Sequence, residues 1–90
     1  MEYPKIKRVK ALDNYLLEVT FENEVIKLYD CKPLLAEPSF EDLRNKAFFK
    51  LAENNSCPYA IIWSDDVDLA ESEIWINGKN VVHTTASNTV

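Results

Sequence analysis

The first thirty residues alternate between apolar and polar positions in three short runs, residues 6–12, 15–21 and 25–29. Such alternation is typical of strands that are buried on one face. The runs are separated by Asp13-Asn14 and by residues 22–24, and Asn and Asp tolerate the left-handed backbone that tight turns need. The pattern therefore predicts an antiparallel meander of three strands.

Side chains two positions apart in a strand share a face of the sheet. Leu17, Val19 and Phe21 form one apolar set of this kind, and Ile26 with Leu28 forms another. We expect the members of each set to lie on one face of their strand.

Residues 39–52 change to the spacing of an amphipathic helix. Ser39, followed three residues later by Asp42, fits a pattern that caps helix N-termini. Apolar residues then recur every three or four positions, at Phe40, Leu43, Ala47, Phe48, Leu51 and Ala52. This spacing predicts one main helix of about 14 residues, with a break near Asn45 as an open alternative. Polar residues 54–56 and Pro58 would end it.

A second capping pattern follows a short apolar run. Residues 59–63 are continuously apolar and partly β-branched, which is typical of a central, buried strand. Asp68 and Glu71 are spaced like a capping pair and predict one short turn of helix.

The C-terminal part is predicted to be a β-hairpin. Residues 74–76 run into Asn77-Gly78, the strongest two-residue hairpin signal, and residues 79–82 would return. Residues 83–90 are small and polar, and we expect a disordered tail. The whole is a single α+β domain over residues 1–82, with a small, mostly antiparallel sheet and one main helix packed on it.

Composition narrows the class of protein. The chain is 47% apolar and 11% aromatic, which favours a packed globule over a disordered chain. No run approaches the ~20 apolar residues of a membrane helix, and residues 1–5 lack the apolar core of a signal peptide. We therefore expect a cytoplasmic protein in which Cys31 and Cys57 are reduced, buried and structural.

Charge is distributed unevenly along the chain. The first ten residues hold four cations against Glu2, a charge of +3, so the other eighty residues carry −8 of the total −5. Two interpretations stay open. The cations could protect an edge strand from pairing with another sheet, or they could contact an acidic partner or a nucleic-acid backbone. The residues concerned are Lys5, Lys7, Arg8 and Lys10.

Asp65, Asp66 and Asp68 could in principle bind a divalent cation through carboxylate oxygens. A calcium loop needs ligands at its first, third and fifth positions. Counted from Asp66, the fifth position is Ala70, and counted from Asp65 the third is Val67. The three aspartates are therefore weak metal candidates, and we expect a turn followed by a cap at Asp68.

The parts of an enzyme are missing from the sequence. The one histidine, His83, lies in the predicted tail, so no nucleophile–base pair can be built around it. One glycine is too few for a phosphate-binding loop. We expect no enzyme and no cofactor. In the predicted hairpin, either Trp75 or its two isoleucine neighbours face away from the core, and an exposed Trp75 would mark a partner or dimer surface.

The chain resembles a known family in short pieces spread over residues 4–78. It is similar to the bacterial family catalogued as domain of unknown function 2442. The resemblance implies a small α+β domain like the N-terminal domain of a helix-turn-helix protein, and it implies toxin–antitoxin-like pairing for some members. It implies no catalytic residues. The matching pieces are Val19-Thr20-Phe21-Glu22-Asn23, Leu28-Tyr29-Asp30, Pro33-Leu34-Leu35, Phe40 with Leu43 and Phe48 or Phe49, Trp63 with Asp68-Leu69, and Ile74-Trp75.

Two positions depart from the pattern of that family. It usually has Pro after the tryptophan and Gly two residues before the Asp-Leu pair, where this chain has Ser64 and Asp66. We expect Asp66 to adopt the left-handed conformation that Gly would. The chain also has no helix-turn-helix after the domain, which argues against direct DNA binding.

Three functions follow, in order of preference. The first is a non-catalytic protein-interaction module that pairs with another protein or with itself as a homodimer, through sheet edges and the basic residues 5–10. The second is an antitoxin-like or nucleic-acid-associated regulatory accessory protein. The third is a metal-dependent enzyme using Asp65, Asp66 and Asp68.

Overall fold

The computed structural model describes residues 3–55 and 57–81. Antiparallel sheets and short helices confirm the α+β class. The 3₁₀ segments are Asp13–Tyr15, Lys32–Ala36 and Pro38–Arg44. The predicted tail, residues 83–90, lies outside the described residues. The strands and helices are β1 (Ile6–Ala11), β2 (Leu16–Phe21), β3 (Ile26–Asp30), α1 (Lys46–Phe49), β4 (Ala60–Ser64), β5 (Val67–Ala70), α2 (Glu71–Asn77) and β6 (Lys79–Asn80).

The predicted three-stranded meander is confirmed. Its strands form a four-stranded antiparallel sheet in the order β1-β2-β3-β6. β4 and β5 form a separate hairpin, which Glu53 joins through a bridge to Ile62. Both sheets contribute to one core, which includes Leu17, Val19, Phe21, Phe49, Ile61, Trp63, Leu69 and Ile74.

A β-bulge near the start of β1 sets which of its residues face the core. Ile6 pairs with Phe21, but the next pair is Arg8 with Thr20, so Lys7 is the extra residue. The bulge lets Ile6 and Val9 point to the same side although they are three positions apart. Lys7 and Arg8 are both exposed as a consequence.

The face of β3 that points to the core carries Lys27 and Tyr29. Lys27 pairs in register with Val19, which is fully buried, so Lys27 faces the core. Ile26 and Leu28 therefore point to the other face of the sheet, where each is half-buried. Ile26 and Leu28 share a face, as predicted, and that face is directed away from the core.

Lys27 is tolerated inside because α2 packs over it. The ring of Trp75 lies edge-to-face on Phe21, with 5.1 Å between the ring centroids. The Lys27 ammonium lies 4.7 Å from the centroid of the Trp75 ring, which is a cation–π contact. Its aliphatic stem is buried, as is common when a long cationic side chain covers apolar surface.

The predicted helix over residues 39–52 is replaced by two shorter pieces. A 3₁₀ segment runs from Pro38 to Arg44, and its cap position, Glu37, makes no side-chain cap bond. The break near Asn45 is confirmed, because the Asn45 side chain accepts hydrogen bonds from the backbone N–H groups of Ala47 and Phe48. This cap begins α1 as a separate helix.

The predicted C-terminal hairpin is also wrong. Residues 74–76 belong to α2, where Ile74 is fully buried and Ile76 is 62% exposed. In a strand the two would have shared a face. Asp68 is a residue of β5 and caps no helix. β6 does return along the sheet, but it pairs with β3. The helix packed on the sheet is therefore α2. Among the described residues, no helix is both long and apolar enough to cross a membrane.

Gly78 is needed for close packing, and Gly78→Ala should destabilise the fold by about 1–3 kcal/mol. Its φ is −74°, so glycine is not required there for a left-handed backbone conformation. A Cβ there would lie 2.6 Å from the carbonyl oxygen of Ile74 and 3.2 Å from Cβ of Lys27. Urea denaturation followed by circular dichroism measures the effect. Ile76→Ala, at a 62% exposed position of α2, is the control and should stay within about 0.5 kcal/mol of wild type.

Candidate functional site

The three aspartates do not come together as a metal site. Asp65 and Asp66 form the tight turn between β4 and β5, where the N–H of Asp66 donates to Oγ of Ser64 at 3.3 Å. Both are exposed, and so is Asp68 on β5. Within residues 3–55 and 57–81, no group of three or more His, Cys, Asp or Glu side chains could hold a metal ion.

Asp66 does not adopt the left-handed conformation expected of it. The non-glycine residues with positive φ in the described chain are Asn14, Tyr15 and Glu24. The register of the β4–β5 hairpin shifts between Ile62 and Ser64 instead. A β-bulge of this kind bends β4 just before the turn. The turn then forms without a positive φ at Asp66.

Two of the four basic residues near the N-terminus are engaged within the chain. The Lys7 ammonium pairs with the Glu24 carboxylate at 2.9 Å, and this pair holds the pKa of Glu24 below its usual value. The Lys5 ammonium lies 5.7 Å from the centroid of the Tyr59 ring.

Arg8 and Lys10 lie together on the side of the sheet that faces away from the core. Arg8 pairs in register with Thr20 and Lys10 with Glu18. Both cations are exposed, and neither forms an ion pair with another residue of the described chain. Lys79 lies on the same face, because it pairs with Leu28 on β3.

This outer face is an apolar strip with cations on both sides. Leu16, Ile26 and Leu28 lie in its middle, each half-buried. Asp30, at one end, is paired with Lys32 at 3.0 Å, so Glu18 is the one carboxylate of this face outside an ion pair. We define the outer face as Arg8, Lys10, Leu16, Glu18, Thr20, Ile26, Leu28, Asp30 and Lys79.

Part of the β1 edge has no strand paired with it among the described residues. The N–H of Ile6 donates to Pro58 at 2.8 Å, and the Asn54 amide donates to the Ile6 carbonyl at 3.1 Å, so the start of the edge is covered. Leu12 donates inward, to β2. Because backbone groups alternate in direction along an antiparallel strand, Val9 and Ala11 point theirs at the open edge.

Trp75 makes its contacts within the chain. The ring is half-buried between Phe21 and the Lys27 ammonium. The large apolar side chain that α2 exposes is Ile76, one of the two isoleucines that the sequence offered as the alternative to an outward-facing Trp75, whereas Ile74 is buried.

A buried polar contact fastens α2 to the sheet. The Tyr29 hydroxyl donates to Oε2 of Glu73 at 2.8 Å, and the Asn77 amide donates to the same oxygen at 2.9 Å. Burial and the Glu73 carboxylate raise the pKa of Tyr29. Beside it, Cys31 is fully buried, and burial raises the pKa of its thiol to about 12. Such a thiol is unreactive at neutral pH.

The turn between β1 and β2 holds two consecutive left-handed residues, with φ of 62° at Asn14 and 60° at Tyr15. Each such residue costs about 1–3 kcal/mol and persists only where its surroundings fix it. The Tyr15 hydroxyl donates to the carbonyl of Arg44 at 2.6 Å, and its ring lies edge-to-face on Phe49 at 5.3 Å. The turn is therefore clamped onto α1.

A cleft of about 320 Å³ lies between this turn and α1. The sequence predicted the turn at Asp13-Asn14. It did not predict which residues of α1 line the cleft, because their position depends on the contacts of Tyr15 with Arg44 and Phe49. The cleft is lined by Leu12, Asp13, Asn14, Tyr15, Lys46, Phe49 and Lys50.

The comparisons with known proteins give a family but no function. No curated protein and no solved structure matches the chain significantly. The model of a family described as "Protein of unknown function (DUF2442)" matches residues 6–80, which runs from the first residue of β1 to the last residue of β6. This protein therefore belongs to the DUF2442 family of proteins of unknown function.

Proposed function

We propose that this protein is a non-catalytic interaction module that binds an acidic, partly apolar segment of another protein. The binding surface would be the outer face together with the open edge of β1. The observation that carries the proposal is the orientation of β3, which turns Ile26 and Leu28 away from the core and Lys27 into it.

The apolar strip supplies affinity in this proposal. A partner that covers Leu16, Ile26 and Leu28 removes apolar surface from water, which is favourable by roughly 25 cal/mol per Å². An apolar strip with a polar rim is the usual composition of a binding patch. The backbone groups of Val9 and Ala11 offer further hydrogen bonds to an extended segment that runs along β1.

The cations supply selectivity. Arg8 and Lys10 flank the strip on one side and Lys79 on the other, so a segment that carries carboxylates beside its apolar residues is complementary to the face. Glu18 lies within the strip and would discriminate against segments with a carboxylate at the centre.

A nucleic-acid-associated, antitoxin-like role is the alternative, and it is less well supported. The cations of the outer face are separated by apolar side chains, whereas a groove that follows a phosphate backbone presents cations in a continuous track. Lys5 and Lys7 contact Tyr59 and Glu24, which leaves fewer cations for phosphates.

Charge reversal tests the proposal with a matched control. Arg8→Glu with Lys10→Glu should weaken binding of the partner recovered by wild-type bait at least about 10-fold, and Leu28→Glu should do the same. Lys46→Glu with Lys50→Glu makes an equal charge change away from the outer face and should leave binding unchanged. Calorimetry with the purified partner measures affinity, and circular dichroism checks folding.

Three results would contradict the proposal. One is a clean monomer that recovers no partner, and another is equal weakening by both charge-reversal pairs. The third is binding to DNA at ~50 mM salt that falls steeply as salt rises, which would favour the nucleic-acid role instead.

A further inference from the structure

We infer that the cleft between the β1–β2 turn and α1 binds a small organic anion, in which a carboxylate or phosphate is joined to an aromatic or apolar body. This inference is independent of the proposed function, because the cleft shares no residue with the outer face.

The size and walls of the cleft suit such a ligand. Small-molecule sites are usually clefts of about 300–1,000 Å³ with mostly apolar walls and a few polar groups, and this one measures about 320 Å³. Leu12, Tyr15 and Phe49 supply the apolar wall. Phe49 is buried, so the aromatic surface against which a ligand ring can pack is that of the half-buried Tyr15 ring.

The charges of the cleft point to an anion. Lys46 and Lys50 both line it, against the single carboxylate of Asp13. The Lys50 ammonium already contacts a carboxylate oxygen there, Oδ1 of Asp13, at 3.3 Å. Both side chains of that pair are well exposed, and exposed ion pairs are worth little. A ligand carboxylate or phosphate can therefore take the place of Asp13 at small cost.

The β1–β2 turn, which forms one wall of the cleft, is held in place by hydrogen bonds within the chain. The carbonyl of Asn14 accepts a hydrogen bond from Nζ of Lys32 at 3.1 Å, and the carbonyl of Tyr15 accepts one from the N–H of Cys31 at 2.9 Å. With the bond from Tyr15 to Arg44, these contacts hold the left-handed pair in place. A preformed wall lowers the entropy lost on binding.

Phenyl phosphate and benzoate are the probes that test the inference, each titrated into ¹⁵N-labelled protein. We expect saturable amide shifts at the lining residues with at least one of them, with Kd near ~1 mM. The tighter of the two tells whether a phosphate or a carboxylate is preferred. Lys46→Gln with Lys50→Gln should weaken binding at least about 5-fold. Asp13→Asn should strengthen it about 2-fold or more, because it removes the competing carboxylate.

The controls separate a site from general attraction of anions to lysine. Lys10→Gln with Lys79→Gln removes two cations outside the cleft and should not change Kd. Inorganic phosphate should bind at least about 5-fold more weakly than phenyl phosphate, since it cannot use the aromatic wall. Equal affinity for the two phosphates, shifts that never saturate, or equal weakening by both lysine pairs would overturn the inference.

Discussion

Replacing Trp63 by alanine is expected to destabilise the protein by about 3–5 kcal/mol, the range for removing a large aromatic side chain from a core. Trp63 is 6% exposed and stacks on Phe49, with 6.1 Å between ring centroids. Its indole N–H donates to the Phe49 carbonyl at 2.9 Å. The ring thus joins the β4–β5 hairpin to α1. Urea denaturation followed by circular dichroism measures the loss.

A second substitution separates the hydrogen bond from the packing. Trp63→Phe keeps an aromatic ring but leaves the buried Phe49 carbonyl without its donor, so a smaller loss of about 1–3 kcal/mol is expected. Tyr59→Ala is the control, because Tyr59 is 50% exposed, and it should cost no more than about 0.5 kcal/mol. Equal losses for Trp63→Ala and Tyr59→Ala would show that Trp63 does not join the hairpin to α1.

The position of Trp63 could be predicted from the sequence, but that of its partner could not. A continuous apolar run ending in tryptophan predicts a central, buried strand. β4 is a strand in which Trp63 is buried, but it lies in a two-stranded hairpin and is not central. A single helical stripe selected Phe48, whereas the structure buries Phe49 and leaves Phe48 half-buried. Asn45 is the reason, since its cap restarts the helix and changes the rotation of the residues after it.

The unexpected core-facing side of β3 and the wrongly predicted C-terminal hairpin have the same cause. Apolarity favours turning Ile26 and Leu28 to the core, since Lys27 and Tyr29 would each need a polar or aromatic partner there. Both partners exist, and both lie on α2. Asn77-Gly78 is typical of a hairpin turn, so residues 74–76 were predicted as a strand, and the short helical turn predicted from Asp68 and Glu71 did not extend to them. A helix that brings Glu73 and Trp75 over β3 was therefore not predicted.

The outer face could be predicted only in part for the same reason. The basic cluster near the N-terminus was apparent from charge alone. Which cations would be free depended on the bulge at Lys7, which places Lys7 beside Glu24 and Arg8 beside Thr20. One strand of the second hairpin did have a signal in the sequence, because Val67 and Leu69 alternate with Asp68.

Stability is expected to fall steeply as pH rises from 9 to 12. Burial raises the pKa of the Cys31 thiol from 9.0 to about 12. Between these values the unfolded chain loses a proton that the folded chain keeps, so the free energy of unfolding decreases as pH rises. The contribution is complete below pH 9 and is lost by about pH 12; that interval corresponds to about 4 kcal/mol. Denaturation curves at successive pH values measure it.

Tyr29 adds to the same trend from a higher starting pH. Burial and the Glu73 carboxylate raise its pKa above the usual 10.0, so its contribution begins to decline only above pH 10. Cys31→Ala should flatten the decline that starts at pH 9, and Tyr29→Phe should flatten the decline that starts at pH 10. Slopes are compared rather than stabilities, because each substitution also removes contacts. An unchanged slope in Cys31→Ala would mean that the thiol is solvated in the folded protein, which would contradict the burial of Cys31 in the core.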